Sequence, residues 1–532
     1  MDVFPASYAQ EGLWLLAQFA PGLPLYQVAV PLRLRLPLTW AGIEAVLAQI
    51  ARRHETLRTS LELRDDALVQ VIHSELSPPV ERLDLSALSP AARAERLTET
   101  FYADMAEPVP VDAAPLWRVR VVRCADDDWT VIVVAHHAIF DATSIMVLRR
   151  ELRELAEAAV TGRAPALPEL PIQYADFAAW QRGQVTTDAY ATDVRYWRDT
   201  LDGASPVHRV PTDRPRPTTA TYAGGAVHFV VPPDTVRALH RTARQTGASP
   251  FMVLLAAYQA LIARLSGDTD VVVGTLVAGR ELPEVQPLIG MFVNTVVLRT
   301  RLSGDPPFVE LVERARRTLL AAWEHQAVPF DVVVAAVAPP RQPGRNPLFQ
   351  IGLNYLPAHG SAGAGAEWTS LAHEESVTQH DGPRAARFDL HLDLTEDGDR
   401  LVGILEYASD LFEAETMRAF AARFTRLLTA AVREPGTRLS RLPLLAADDR
   451  ARLLAVPASP HPLDTGALAV GSLRARADVV GGDGLRLAAA ELTERVAALA
   501  SALAGYGASP DRPVAVLLPY GDAGLAVAVL GA

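Results

Sequence analysis

The chain contains no lysine: all 50 of its basic residues are arginine. No side chain can therefore act as an amine base, form a Schiff base or clamp a phosphate as an ammonium. With the alanine and proline load, this reads as the codon bias of a GC-rich bacterial genome. There is one cysteine, Cys124, so no disulfide can form within the chain. It ends the apolar run 119–122 and reads as a buried structural thiol, with no Cys-His context to mark a nucleophile. Long apolar runs are also missing. The longest, about 251–265, is too short and too polar to span a bilayer, and the N-terminus lacks a basic region and an apolar core. The expected location is the cytoplasm. Nor is there an excess of positive charge. The net charge is −12, which argues against nucleic acid or an anionic membrane as the main partner.

What is present is an ordinary globular composition, 49% hydrophobic and 21% charged, over 532 residues. That length suggests about three domain-sized units with ample buried cores. The most informative stretch is Val131-Ile132-Val133-Val134-Ala135-His136-His137-Ala138-Ile139-Phe140-Asp141. Its continuous apolar run predicts a buried strand. Ile145, Leu148, Leu152 and Leu155 share one face at helical spacing and predict a helix over 143–158. The two histidines and the carboxylate then occupy a strand-to-helix turn. An imidazole there is held rigidly and can exchange a proton near neutral pH. Because neighbouring residues leaving a strand point to different sides, one histidine is expected to be structural. No third or fourth ligand at metal-site spacing accompanies the pair, so a metal centre is rejected.

The first block, to about residue 175, alternates strand-like and helix-like segments. Strands are expected at 28–36, 117–123 and 129–135, the last two antiparallel about the turn 126–128. A helix is expected at 40–54, burying Ile43, Val46, Leu47 and Ile50. A proline-rich crossing at 206–217 leads to a second block with similar elements. Ser249-Pro250 opens a helix to about 265, with serine as cap and proline in the first turn. A buried strand is expected at 270–277, a helix at 308–325, strands at 350–356 and 388–394, and a closing helix at 417–432. The Gly-, Ala- and Ser-rich stretch 357–382 reads as a mobile loop. The fold class is α+β, with two similar halves facing a cleft. The boundaries expected are 1–175 and 176–433 for the halves, 434–464 for a linker and 465–532 for a partial α/β unit. That last unit should hold a helix over 488–506 and a strand over 514–518.

Seven motifs in series carry a family resemblance. They are Ser7-Tyr8-Ala9-Gln10 with Leu13-Trp14, Arg53-His54-Glu55-Thr56-Leu57-Arg58-Thr59, His136-His137-Ala138-Ile139-Phe140-Asp141, Tyr174-Ala175-Asp176-Phe177-Ala178-Ala179-Trp180, Ile289-Gly290-Met291-Phe292-Val293-Asn294-Thr295, His325-Gln326-Ala327-Val328-Pro329-Phe330, and Arg345-Asn346-Pro347-Leu348-Phe349-Gln350. From about residue 4 to 448 the chain resembles the condensation domain of nonribosomal peptide synthetases. Leu492-Thr493-Glu494 and 514–519 look like the opening of an adenylation domain, without its later phosphate loop.

The resemblance implies two chloramphenicol-acetyltransferase-like subdomains in a V, with a central tunnel. A donor acyl or peptidyl thioester and an acceptor aminoacyl thioester would enter on the phosphopantetheine arms of partner carrier domains. No cofactor would bind the chain itself. The acceptor amine would attack the donor carbonyl to form an amide. His137 would take the proton or hold the amine, and His136 would be structural. Asp141 either orients His137 directly or, as the resemblance implies, pairs with Arg280. Ser144, Arg58 and Asn294 are motif residues with supporting roles. Phe177, Trp180 and Phe292 read as core packing, and His54 and His325 as structural.

Two positions depart from the family pattern. Ala142 stands where glycine is usual and would add a methyl at the tunnel floor. Gly12 stands where arginine is usual. Rival readings are an inactive relative that recruits a carrier or tailoring enzyme, and an ester-forming acyltransferase of the same superfamily. Relatives of the first kind usually lose the second histidine. The second usually carries Asp-Phe-Gly-Trp-Gly, which is missing here.

Overall fold

The computed structural model describes residues 2–19, 22–185, 187–340, 344–357, 384–454, 479–480 and 486–505. The stretch expected as a mobile loop, except Pro357, and the expected strand at 514–518 lie outside the described residues. The chain divides into two compact units, Met1–Leu445 and Ala446–Ala532. No single described helix is long and apolar enough to cross a membrane.

The first half of the larger unit runs β1 (Asp2–Pro5), α1 (Tyr8–Phe19), β2 (Gln27–Leu34), α2 (Trp40–Arg53), β3 (Thr59–Arg64), β4 (Ala67–Ile72), β5 (Val80–Asp84), α3 (Pro90–Ala106), β6 (Trp117–Ala125), β7 (Asp128–His136), α4 (Ala142–Thr161) and α5 (Tyr174–Gln184). Its main sheet has the order β2-β7-β6-β5, and β1-β4-β3 form a smaller one. β7 lies inside the main sheet, antiparallel to both β2 and β6. That placement explains its unbroken apolar run: both faces of an interior strand are covered. Val131, Val133 and Ala135 enter the core beneath α2 and α4, while Ile132 and Val134 pack on the other side with Cys124. The helix expected at 40–54 forms as α2, capped by Thr39, and buries the four residues its spacing singled out.

The second half follows with α6 (Asp188–Leu201), β8 (Ala223–Val231), α7 (Pro233–Thr246), α8 (Pro250–Ser266), β9 (Asp270–Val277), β10 (Asn294–Arg301), α9 (Phe308–Glu324), α10 (Phe330–Val337), β11 (Ile351–Leu356), β12 (Arg384–Ala385), β13 (Leu390–Asp397), β14 (Arg400–Ala408) and α11 (Ala414–Arg433). Its strands form one sheet in the order β10-β9-β11-β13-β14-β8-β12. α8 starts where Ser249-Pro250 predicts, the serine accepting the Met252 N–H. Residues 252–263 of α8 are all buried, so it is the central helix of this half rather than an amphipathic surface helix.

The halves are less separable than the expected boundary at 175/176. That position falls within α5, whose Tyr174 and Phe177 both pack in the first core. The segment between β9 and β10 also crosses over: Val285, Leu288, Ile289, Met291 and Phe292 are buried in the first core. Residues 434–445, expected to begin a linker, are anchored as well, with Leu439 and Leu442 buried in the second core.

Considered alone, the smaller unit has a helix α12 (Ala447–Leu454), a short hairpin of β15 (Val479–Val480) and β16 (Arg486–Leu487), and α13 (Ala489–Gly505).

Candidate active site

The end of β7 separates the two histidines. The His136 backbone N–H donates to Leu116 O at 2.8 Å, whereas that of His137 donates to Tyr26 O at 2.7 Å. The chain then makes one 3₁₀ turn over residues His137–Ile139 and enters α4. His136 is buried, and its Nδ1 accepts the Ala138 N–H at 3.1 Å. Burial, with the neighbouring His137, lowers its pKa to about 4. It serves the turn, as its place in the motif suggests.

Asp141 does not face His137 through a hydrogen bond. It caps α4, accepting the Ser144 N–H at 2.7 Å. Arg280 Nη2 reaches both carboxylate oxygens, at 2.9 and 3.0 Å. The Phe292 N–H donates to Oδ2 at 3.1 Å. Arg280 is in turn fixed by Nη1 donating to Val285 O at 2.8 Å and Leu288 O at 2.7 Å. Its guanidinium lies 4.1 Å from the Phe292 ring centroid. The Ser144 hydroxyl joins this cluster, 2.8 Å from Asp141 Oδ1 and 3.0 Å from both Gly290 O and Gly290 N. A buried carboxylate is thus matched by a buried guanidinium and several donors, the condition for such a pair to be tolerated. The cluster fastens the His137 turn to the 280–292 segment. Tyr174 extends it, its hydroxyl donating to Met291 O at 2.7 Å, with Ser7 Oγ at 2.8 Å.

A second clamp acts beside it. His54 Nε2 lies 2.9 Å from Glu151 Oε2, while His54 Nδ1 accepts the Ile289 N–H at 3.3 Å. Both contacts suit a neutral imidazole with its proton on Nε2. Burial holds the His54 pKa below its ordinary value, outweighing the raising effect of Glu151.

His137 is bound less tightly, its ring near the backbone carbonyls of Phe140 and of His137 itself. Its ring lies deep among neighbouring atoms yet keeps part of its surface open. Nδ1 is buried without a hydrogen-bond partner among the described residues. Burial, and then the positive charge of Arg387, push its pKa down to about 4.

The remaining motif residues hold the scaffold. Arg58 Nε donates to Ala51 O at 3.0 Å, and Nη1 binds His73 O. Asn294 Nδ2 donates to Gln326 O and Val328 O, and its Oδ1 accepts the Phe330 N–H at 3.0 Å. Ala142 is exposed at the first position of α4 with no positive φ, so glycine's freedom is not needed there. At Gly12 a Cβ would come within 2.7 Å of Asp331 Oδ2, so that carboxylate fills the space over residue 12. Phe177 and Phe292 are buried as expected, but Trp180 is 48% exposed. It lies on the outer side of α5, its ring tilted at 35° to that of Phe177 with centroids 5.9 Å apart. Tyr26, whose carbonyl accepts the His137 N–H, Arg387, whose charge reaches His137, and Tyr222 beside Tyr26 carry no mark in the sequence. They belong to none of the quoted motifs, and nothing in their spacing links them.

The "Condensation domain" family model matches residues 1–454. Phosphinothricin tripeptide synthetase PhsC of Streptomyces viridochromogenes is 36% identical over 521 residues, covering 97% of this chain and 48% of that protein. Malpinin synthetase of Mortierella alpina is 33% identical over 454 residues, covering 85% of this chain and 6% of that protein. The chain therefore spans about half or less of the length of these relatives. Among solved structures, the X-domain in its complex with OxyB from teicoplanin biosynthesis superimposes with a TM-score of 0.73 at 28% identity, covering 84% of this chain and 97% of that one.

Proposed function

The chain belongs to the condensation-domain family of nonribosomal peptide synthetases, and from that membership and the geometry of the His137 turn we propose that it forms amide bonds between carrier-bound substrates. The acceptor is an aminoacyl thioester and the donor an acyl or peptidyl thioester, each on the phosphopantetheine arm of a carrier domain. The amine nitrogen attacks the donor carbonyl carbon, and the π-electron pair moves to oxygen. Collapse restores the carbonyl, breaks the carbon–sulfur bond and releases the donor arm as a thiol. The partners are the two carrier domains and, in a longer synthetase, an adenylation domain.

One observation carries this reading. Of the titratable groups in the turn, His136 Nδ1 and both Asp141 oxygens are bound into the fold, while the half-buried His137 ring has its Nδ1 without a hydrogen-bond partner among the described residues. A neutral imidazole accepts a hydrogen bond from the attacking amine, aligning it and sharing its proton as the tetrahedral species forms. General-base help of this kind is worth about 10²–10⁴-fold, and alignment of two tethered reactants adds several kcal/mol. At a pKa of about 4, full transfer of the amine proton to the free imidazole is uphill. Alignment is therefore the larger part of its role.

The test is condensation by the protein with separately loaded donor and acceptor carriers, read as amide product by mass spectrometry. His137→Ala is expected to slow product formation by about 10²–10⁴-fold. Wild-type protein giving no amide above the carriers-alone background, across several substrate pairs, overturns the proposal in favour of recruitment.

A further inference from the structure

The segment 386–389 carries an arginine that the structural clusters do not use. Its neighbours are pinned. The Ala386 N–H donates to Tyr222 O at 2.9 Å, and the Asp389 N–H to Gln350 O at 3.0 Å. Phe388 stacks between Phe349 and His391, with centroids 5.3 and 5.2 Å away. Tyr222 itself is held at φ 56°, the left-handed region that costs a non-glycine residue energy. Between these fixed points Arg387 is half-buried, its guanidinium 6.0 Å from the Tyr26 ring centroid. Tyr26 is the residue whose carbonyl accepts the His137 N–H. One aromatic residue of the first half therefore holds both the imidazole's backbone and a cation from the second half.

Arg387 makes no ion pair or hydrogen bond with a carboxylate among the described residues. Asp393, the acid its charge reaches, is engaged elsewhere. Asp393 accepts from Asn354 Nδ2 at 3.0 Å and lies 3.3 Å from His391 Nε2. Asp141 belongs to Arg280. A half-buried guanidinium that meets no carboxylate among the described residues is costly unless it meets negative charge at some stage of the working cycle.

We propose that Arg387 is the charge-stabilising residue of the condensation: its guanidinium faces the donor carbonyl oxygen on which negative charge develops, opposite His137, which holds the amine. This deepens the amide-forming reading and rests on it. As the carbon–nitrogen bond forms, the carbonyl electron pair moves to oxygen, toward Arg387. The amine proton is held at His137. When the pair returns and the carbon–sulfur bond breaks, that proton passes to the departing thiolate. The two roles explain each other. A cation beside His137 opposes a full positive charge on the imidazole, so the negative charge, rather than the proton, needs the strong partner. The charged and titratable groups facing His137 are His136, Asp141 and Arg387.

The experiment compares wild-type protein, Arg387→Gln and Arg387→Lys in single-turnover condensation with loaded carriers. It also follows the His137 imidazole by NMR titration of histidine-labelled protein, with His54 and His136 as folding reporters. Arg387→Gln is expected to slow the chemical step by about 10²–10³-fold with the acceptor KM little changed. Arg387→Lys should recover at least a tenth of the wild-type rate. In Arg387→Gln the His137 midpoint should rise by about half a unit to one unit, the effect of removing a nearby like charge. Wild-type-like turnover by Arg387→Gln overturns the inference, as does an unmoved His137 midpoint. So does an Arg387→Lys variant as slow as Arg387→Gln, because a structural loss is not rescued by charge. Failure of wild-type protein to make any amide is a different result and removes the amide-forming reading itself.

Discussion

Asp141 is bound into the fold beside the His137 turn rather than to the His137 ring. Its carboxylate ends one strand-to-helix turn and receives a guanidinium, two backbone amides and a hydroxyl. Removing either partner leaves the other charged and buried. We expect Asp141→Ala and Arg280→Ala each to lower unfolding free energy by about 3–5 kcal/mol. The double variant should fall well short of the sum of the two, because the second substitution removes the stranded charge left by the first. Urea unfolding of the three variants checks this, and additive losses would contradict the pairing. At this scale the sequence was partly readable. Spacing alone left Asp141 free to serve either His137 or a distant arginine, and Arg280 gives no local sign of burial. Only the contact between residues 139 positions apart settles which. Trp180 erred in the other direction: size and aromaticity suggested a core, but its helix turns that side outward.

At the scale of elements, the segment between β9 and β10 does the joining. It leaves β9 through Gly279, whose φ is +64° and whose Cβ, if present, would stand 2.0 Å from Phe292 O. Gly247 ends α7 at a similar φ of +62° with nothing within 4 Å of its Cβ. The pair separates conformational strain from crowding. Gly247→Ala should cost about 1 kcal/mol, the left-handed penalty alone. Gly279→Ala should cost at least about twice that, since a backbone carbonyl must also move. Thermal or chemical denaturation of both reads the difference, and equal losses would show that the segment yields freely. Regular elements such as β9 and α8 were legible because apolar runs and a Ser-Pro start leave local marks. The crossing segment was not, because Val285, Leu288 and Ile289 read equally well as lining either half.

For the whole molecule, three buried or deep imidazoles, His54, His136 and His137, are kept neutral in the folded protein. Folded-state pKa values below the unfolded value near 6.5 mean that the unfolded chain binds more protons on acidification. Stability is therefore full above about pH 6.5 and declines as the pH falls toward 4. Protonation would also break the acceptor roles of His54 Nδ1 and His136 Nδ1. Glu151, whose pKa is lowered by His54 and Arg53 against the cost of burial, adds to the loss in the same direction at more acidic pH. His136 alone contributes on the order of 2–3 kcal/mol across this window. Urea midpoints between pH 7.5 and 4.5 should fall steadily in wild-type protein and less steeply in His136→Asn. A flat profile would contradict neutral burial.

The contribution of residues 285–292 to the first core has a consequence for biosynthesis. A ribosome that has delivered the first 175 residues has released the histidine pair but not the arginine that fastens it, nor the five apolar side chains that complete the packing around it. The nascent first half must wait, unfinished, for more than a hundred further residues before its His137 turn can set. Chaperone engagement and premature release during that interval thus bear on how much competent protein a cell obtains.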